Sequence, residues 1–205
     1  MTNQKQYFFV LLLVIASLKS FSQTGGQEEY SFLDLPASAR ITAAGGNIMV
    51  SDADVSMSYH NPSLLNRQMH GRVTASTAAY YAGINFGYFG YAHNIKNVVM
   101  MQGGIQYLAY GTFNGTDATG TETATFKANE IALHAGVSRS YQTKYNYGMN
   151  LKLISSNYES YSSFGLATDW AAAYHDSARN FTASLLIKNI GFQFKPYIKG
   201  NKEPL

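Results

Sequence analysis

The residues of this 205-residue chain that could do chemistry are scattered along it. Its five histidines stand at positions 60, 70, 93, 134 and 175, and no two have the spacing of a zinc-ligand pair. A hydrolase would need a Ser or Asp nucleophile beside a His, with a third group to orient the ring. His175 and Asp176 are adjacent and serines are plentiful. Yet no Gly-x-Ser-x-Gly marks a nucleophile, and no Lys has a Ser three residues before it. Asp52 and Asp54 could open a calcium loop, but the later ligands and the closing Glu are missing. The sequence has no Cys, so it holds no thiolate metal site, disulfide framework or lipidated cysteine. The expectation is a non-catalytic chain with no cofactor and no metal, in which His134 and His175 lie on the wet faces of strands.

Composition narrows the class. Charged residues make up 13% of the chain, about half the usual share of roughly 25%. Sixteen Tyr and twelve Phe stand against one Trp, and eighteen Gly against four Pro, a balance suited to sheet and tight turns. The net charge of +3 is small, and Lys and Arg form no basic stripe, so no nucleic acid is expected as a partner. Lys5 precedes an apolar run from Tyr7 to Leu18, with Ser20 and Ser22 ahead of Gln23. That order reads as a cleavable signal peptide over residues 1–22. The run is too short to span a bilayer comfortably as a helix.

The elements that must position any site are strands. From Tyr145 to Leu153 every odd position is apolar or aromatic, and every even one is Asn, Gly or Lys. A strand sends successive side chains to opposite faces, so this stretch has one oily and one wet face. Residues 70–205 read as about seven such strands, near 71–81, 84–94, 97–111, 126–142, 145–157, 163–177 and 180–191. Ala82-Gly83, Ile95-Lys96 and Thr143-Lys144 mark tight turns. A long polar loop is expected over 112–125, with Asn114, Gly115, Asp117 and Gly120 as its surface residues, and a shorter one over 158–162. Tyr80, Tyr81, Tyr91, Tyr110, Tyr141, Tyr145, Tyr158, Tyr161 and Phe164 gather near strand ends, where a lipid-facing barrel carries aromatic girdles. A secreted β-sandwich would also alternate, but most of these strands exceed the usual five or six residues. The fold class expected is all-β, an antiparallel outer-membrane β-barrel touching outer-membrane lipids, behind a less strand-like segment at 23–69.

That segment contains Ser38-Ala39-Arg40, then Gly45-Gly46, Asp52 with Asp54, and Asn61-Pro62-Ser63-Leu64. The ordered set resembles the N-terminal segment of outer-membrane barrels of the FadL and PorV type. The opening Phe32-Leu33-Asp34-Leu35-Pro36 is similar to the PorQ family of the type IX secretion system. So is the late run from Lys188 to Tyr197 leading into Gly200–Pro204. The resemblance covers almost all of the chain after residue 22. It implies a bacterial outer-membrane component of the attachment complex, with PorZ, PorU and PorV-like proteins as partners. There it helps retain PorZ and anchor secreted cargo. It also implies that 23–69 occupies the lumen as a plug. On the residues alone, Gly45-Gly46 supplies positive φ or close approach, and Asn61-Pro62 breaks any helix.

Two alternatives follow from the same pattern. One is a FadL-like channel for a hydrophobic ligand, although the wet-face positions are Asn, Gln, Lys, Glu and Asp. The other is an outer-membrane lipid or peptide hydrolase. Bacterial single-chain barrels have an even strand number, and FadL-type barrels have fourteen by that resemblance. Seven strands therefore predict an N-terminal fragment: a curved, incomplete sheet with two open edges.

Overall fold

Alternating, Tyr- and Gly-rich sequence takes over at Val73 and holds to Lys195. The computed structural model describes residues 29–46, 53–117, 119–142, 144–176, 178–179 and 181–197. Seven strands form one antiparallel sheet in chain order: β1 (Val73–Ala79), β2 (Asn85–Ile95), β3 (Val99–Thr116), β4 (Glu122–Tyr141), β5 (Tyr145–Tyr158), β6 (Tyr161–Asp176) and β7 (Phe181–Lys195). β1 and β7 do not pair, so the sheet is open and not closed into a barrel. The signal-peptide reading of 1–22, Asp52 and the run Gly200–Pro204 lie outside the described residues.

Two connections differ from expectation. The polar stretch over 112–125 is mostly strand: β3 runs through Asn114 and Gly115, and β4 already starts at Glu122. Its Thr and Phe content favours extended backbone, and cross-strand pairs such as Phe113 with Phe126 close the ribbon. Asp117 and Gly120 remain at the tip, with Gly120 at φ 85°. The expected loop over 158–162 is a two-residue turn, since Tyr158 pairs with Tyr161. Glu159 takes the positive φ of 56° that such hairpin turns use.

β3 and β4 outrun their neighbours. β2 stops opposite Ala109 and β5 stops opposite Ala128. Beyond those points the two strands pair only with each other, forming a ribbon that projects about 20 Å past the sheet. At its tip the Asp117 carboxylate accepts from the Thr119 and Thr121 amides at 2.8 and 2.9 Å and from the Thr119 hydroxyl at 2.6 Å. The Thr119 hydroxyl, then the backbone donors, hold that carboxyl below its usual range.

The N-terminal residues fold as short helical pieces on one face of the sheet. They include α1 (Ala39–Ala43) and α2 (Val55–His60), with 3-10 turns at Ser31–Asp34, Pro62–Leu64 and Arg67–Met69. Their starts are set by side-chain caps: Ser38 accepts from Ile41 N, Asp54 from Ser56 N, Asn61 from Ser63 N and Asn66 from Gln68 N. Gly45 and Gly46, at φ 68° and 78°, end α1 by returning amides to Thr42 and Ile41. Contacts from this segment reach both edge strands. Ser76 of β1 donates to the Ala37 carbonyl, and Lys188 of β7 pairs with Asp34 only three residues earlier. Three residues span at most about 11 Å, whereas a flat seven-stranded sheet is about 29 Å wide. A concave sheet meets both contacts without stretching every side chain to its limit.

The two faces of the sheet have inverted polarity. The face under the N-terminal segment buries Gln102, Gln106, Glu130, His134, Asn150, Lys152 and Asp169. The bare face exposes Phe89, Met101, Tyr107, Leu133, Leu151, Leu153, Trp170, Leu185 and Phe192. The covered face is apolar in part: Phe86 and Tyr88 of β2, Leu108 of β3 and Ile154 of β5 join Phe32, Leu33, Ile41 and Tyr59 of the segment in one core. Tyr110 and Tyr158, expected in an aromatic girdle, also belong to the covered side, where the Tyr110 hydroxyl donates to Glu130.

Three glycines on that side make room for the segment. A Cβ on Gly148 would fall inside the Pro62 carbonyl, one on Gly165 against the Tyr30 ring, and one on Gly136 against Asn150 and Gln102. At Gly148 the obstacle is backbone, which has little freedom to yield. Gly148→Val should therefore destabilise docking by about 1–3 kcal/mol. Limited proteolysis within residues 29–69 should become faster while the sheet remains protected.

Candidate functional site

The described structure concentrates its buried polar chemistry where the N-terminal segment meets the sheet. α2 points its C-terminal end at β3 and β5. A helix leaves its last carbonyls without intrahelical partners. Here the Asn150 amide donates to Ser58 O and Tyr59 O at 3.0 and 2.8 Å. The Gln102 amide donates to Ser58 O at 2.8 Å and to Asn150 Oδ1 at 2.9 Å. The Ser58 hydroxyl returns a bond to Gln102 Oε1. Two side-chain amides thus replace the next helical turn. Gln106 does the same for the first turn, donating to Phe32 O at 2.6 Å.

Beside this lies a buried ion pair. Lys152 Nζ stands 2.7 Å from Asp169 Oδ2, and both side chains are shielded from solvent. The ammonium also donates to Asn189 Oδ1 at 3.0 Å and sits 4.6 Å from the centre of the Tyr59 ring. Asn189 reaches them because β7 is irregular there: register shifts between Thr168 and Trp170, and Asn189 takes φ 55°. Its own amide donates to Asp169 Oδ1 at 2.9 Å. A buried charge pair is tolerable when the remaining lone pairs and protons find partners, and Asn189 and Tyr59 supply them.

The motif residues divide into two groups. Ser38, Asp54, Asn61 and Pro62 converge on the docking interface. Ser56 links Ser38 to Asp54 through bonds of 2.9 and 2.7 Å, Asp54 accepts from Thr74 of β1 at 3.2 Å, and Asn61 donates to Ser184 of β7 at 3.1 Å. Arg40, Gly45 and Gly46 lie on the exposed turn end of α1. Asn114, Gly115, Asp117 and Gly120 sit in the projecting ribbon, away from the interface. Sequence reading did not single out Gln102, Asn150, Lys152 or Asp169. Their signal was present as amides and charges on the wet face, interrupted by Gly136 and Gly148.

The histidines play different parts. His60 Nε2 accepts the Ala37 amide at 3.1 Å, which requires a neutral ring. Burial, then the Lys152 charge, lowers its pKa from 6.5 to about 3. His134 is buried between Tyr59 and Tyr88, and neither ring nitrogen has a hydrogen-bond partner among the described residues. His175 is exposed at the strand end and bonds Thr182 at 2.7 Å. Among the described residues no three His, Asp or Glu side chains converge to hold a metal. What the arrangement does is dock the N-terminal segment onto one sheet face through an apolar core and a buried hydrogen-bond network together, leaving the other, apolar face bare. No protein-family model matches the chain, and no curated protein matches it.

Because His60 is neutral when docked and titrates near 6.5 when free, docking should be full above about pH 6.5 and weaken as pH falls towards 3. His60→Gln keeps an acceptor but cannot titrate. The denaturation midpoint of the wild type should fall more steeply with acid across that window than that of the variant.

Proposed function

We propose that the chain forms one wall of a non-catalytic bacterial outer-membrane β-barrel, with its N-terminal segment as a plug. The supporting observation is the inverted sheet. Among the described residues twenty-six large apolar or aromatic side chains are exposed, most of them on the bare face, while Lys152, Asp169, Glu130 and Asn150 are buried on the other. Monomers in water rarely expose apolar patches beyond about 300–600 Å². A lipid-facing wall requires that surface, and a polar lumen requires the covered one.

The open edges bear on the same reading. Unpaired strand groups on β1 and β7 have no water to bond inside a bilayer, so further strands must close the wall. In that reading the sheet is the first half of a barrel of the FadL and PorV type. The motif set in the plug, and the resemblance to PorQ, are what support assigning the barrel to the type IX secretion system. Its role there is to help retain PorZ beside PorU and PorV-like proteins while cargo is anchored. The projecting β3–β4 ribbon, stiffened by the stacked Phe113 and Phe126 rings 5.3 Å apart, is the surface we assign to that contact. A FadL-like channel for a hydrophobic ligand is less well supported. The space it needs is filled by buried amides and an ion pair. A hydrolase is less well supported still, since His134 has no nucleophile bonded to it.

Leu151→Arg separates lipid from water on the bare face. In a bilayer a mid-wall Arg costs about 2–4 kcal/mol, against roughly 0.5 kcal/mol or less for a water-facing strand. Folding titrations in vesicles should show the larger loss, and a negligible one would reject the membrane wall. For the assembly, affinity purification of the full chain from its own cells should recover a PorZ-like partner. Shortening the ribbon over 112–125 should release that partner while the barrel still inserts. Recovery of the barrel alone, loaded with fatty acid, would favour the channel.

A further inference from the structure

The bare face is not uniform. Outward Ala172 on β6 and Ala183 on β7 floor a groove walled by larger neighbours. Ala172 is flanked at its own level by Tyr147 and Leu185, and the groove is bounded towards mid-strand by Trp170 and Ile187. The groove continues to a cross-strand row of Tyr141, Tyr145 and Tyr174, in which the last two rings lie 5.2 Å apart. Its length, from the Trp170 level to the Tyr174 level, is about 13 Å along the strand. That shape suits one extended acyl chain lying parallel to the strands, with its head at the tyrosine row.

A charge stands about 7 Å short of that row along the strands, within reach of a long side chain. Arg139 is outward and exposed on β4, directly opposite Tyr147 and two residues before Tyr141. It lines the groove and has no ion pair or hydrogen bond among the described residues. Its neighbour across the turn, Lys144, is already paired with Asp176 at 2.9 Å. A cation on a lipid-facing strand is tolerated close to the interface, where its long side chain can reach the headgroups. Its natural counter-charge there is a phosphate, which a guanidinium binds through paired, charge-assisted hydrogen bonds.

We propose that this groove and Arg139 form a binding site for an anionic glycerophospholipid, with one acyl chain over Ala172 and the phosphate on Arg139. The site rests on the membrane reading above. It adds a lipid preference to that reading, which a wall of uniform greasiness would not have.

The test uses the full chain reconstituted in nanodiscs of equal phosphatidylglycerol and phosphatidylcholine, followed by gentle detergent release and native mass spectrometry. The wild type should retain phosphatidylglycerol over phosphatidylcholine by about five-fold, the worth of one cation near a lipid surface. Arg139→Gln should bring the ratio to about one. Ala172→Phe fills the floor with another apolar group and should lower total retained lipid while insertion continues. Equal retention of the two lipids by the wild type, or an unchanged ratio in R139Q, overturns the site and leaves the membrane wall standing. So does preferential retention of lipopolysaccharide when it is added as a competitor. A barrel that never enters the nanodisc even with the strands that close its wall overturns the wall and the site together.

Discussion

The unmet carbonyls at the end of α2 are the constraint on which the covered face depends. A six-residue helix has too few internal bonds to hold its own shape in water. Its Ser58 and Tyr59 carbonyls need donors, and burial makes their absence costly. Gln102 and Asn150 provide those donors from two strands that are not adjacent, across the space left by Gly136. Helix, strands and glycine are therefore mutually required. Without the helix the two amides would be buried without partners, and without the amides the carboxyl end that Asn61-Pro62 leaves at His60 would hold its last carbonyls unmet.

The ion pair extends the same logic. Lys152 and Asp169 would be poor choices for stability alone, since a buried pair often gains no more than an apolar replacement. What they add is directional. Lys152 ties β5 to the irregular stretch of β7 through Asn189 and faces Tyr59 of the segment. Asp169 takes the Asn189 backbone amide, and Lys188, next along the chain, reaches Asp34. One irregularity in β7 thus fixes both the register of the last strand and its grip on the segment. The polar face behaves as a specific lock, whereas the apolar face makes no such demand on its surroundings.

Much of the sheet was legible in the sequence because alternation survives even where strand ends do not. The seven strands and their order follow from the pattern around Tyr145–Leu153 repeated along the chain. The ribbon over 112–125 was misread because Gly115, Asp117 and Gly120 look like loop residues, and only Asp117 and Gly120 mark the tip. β2 shows how little alternation says of direction: Phe86 and Tyr88 alternate as cleanly as any outward pair, yet they face Tyr59. Period tells which residues share a face, and it does not tell which face is covered. The docking site was legible only in part. Ser38, Asp54, Asn61 and Pro62 carry local capping chemistry that a motif can display. Asn150, Lys152 and Asp169 act on residues more than fifteen positions away, and no local spacing announces that.

The inversion of polarity also argues against the simplest soluble alternative, in terms that do not depend on any resemblance. A β-sandwich buries its apolar faces against each other and turns its polar faces to water. Here the covering layer exists, but it lies on the polar side. To turn this sheet into half of a sandwich, a second sheet would have to cover Leu133, Leu151, Leu153 and Trp170, leaving Lys152 and Asp169 at the centre of a third layer. Such a protein would hold an ion pair, three side-chain amides and a carboxylate beneath its segment, beside the apolar core formed there, while burying a second apolar face elsewhere. A bilayer needs no second sheet. On the membrane reading proposed above it would cover the apolar face by itself, and it would give the polar face an interior in which a short, capped segment can be held by hydrogen bonds. On that reading the bare face could also carry an alanine trough beside an arginine, a combination that packing against another sheet would have to fill and neutralise.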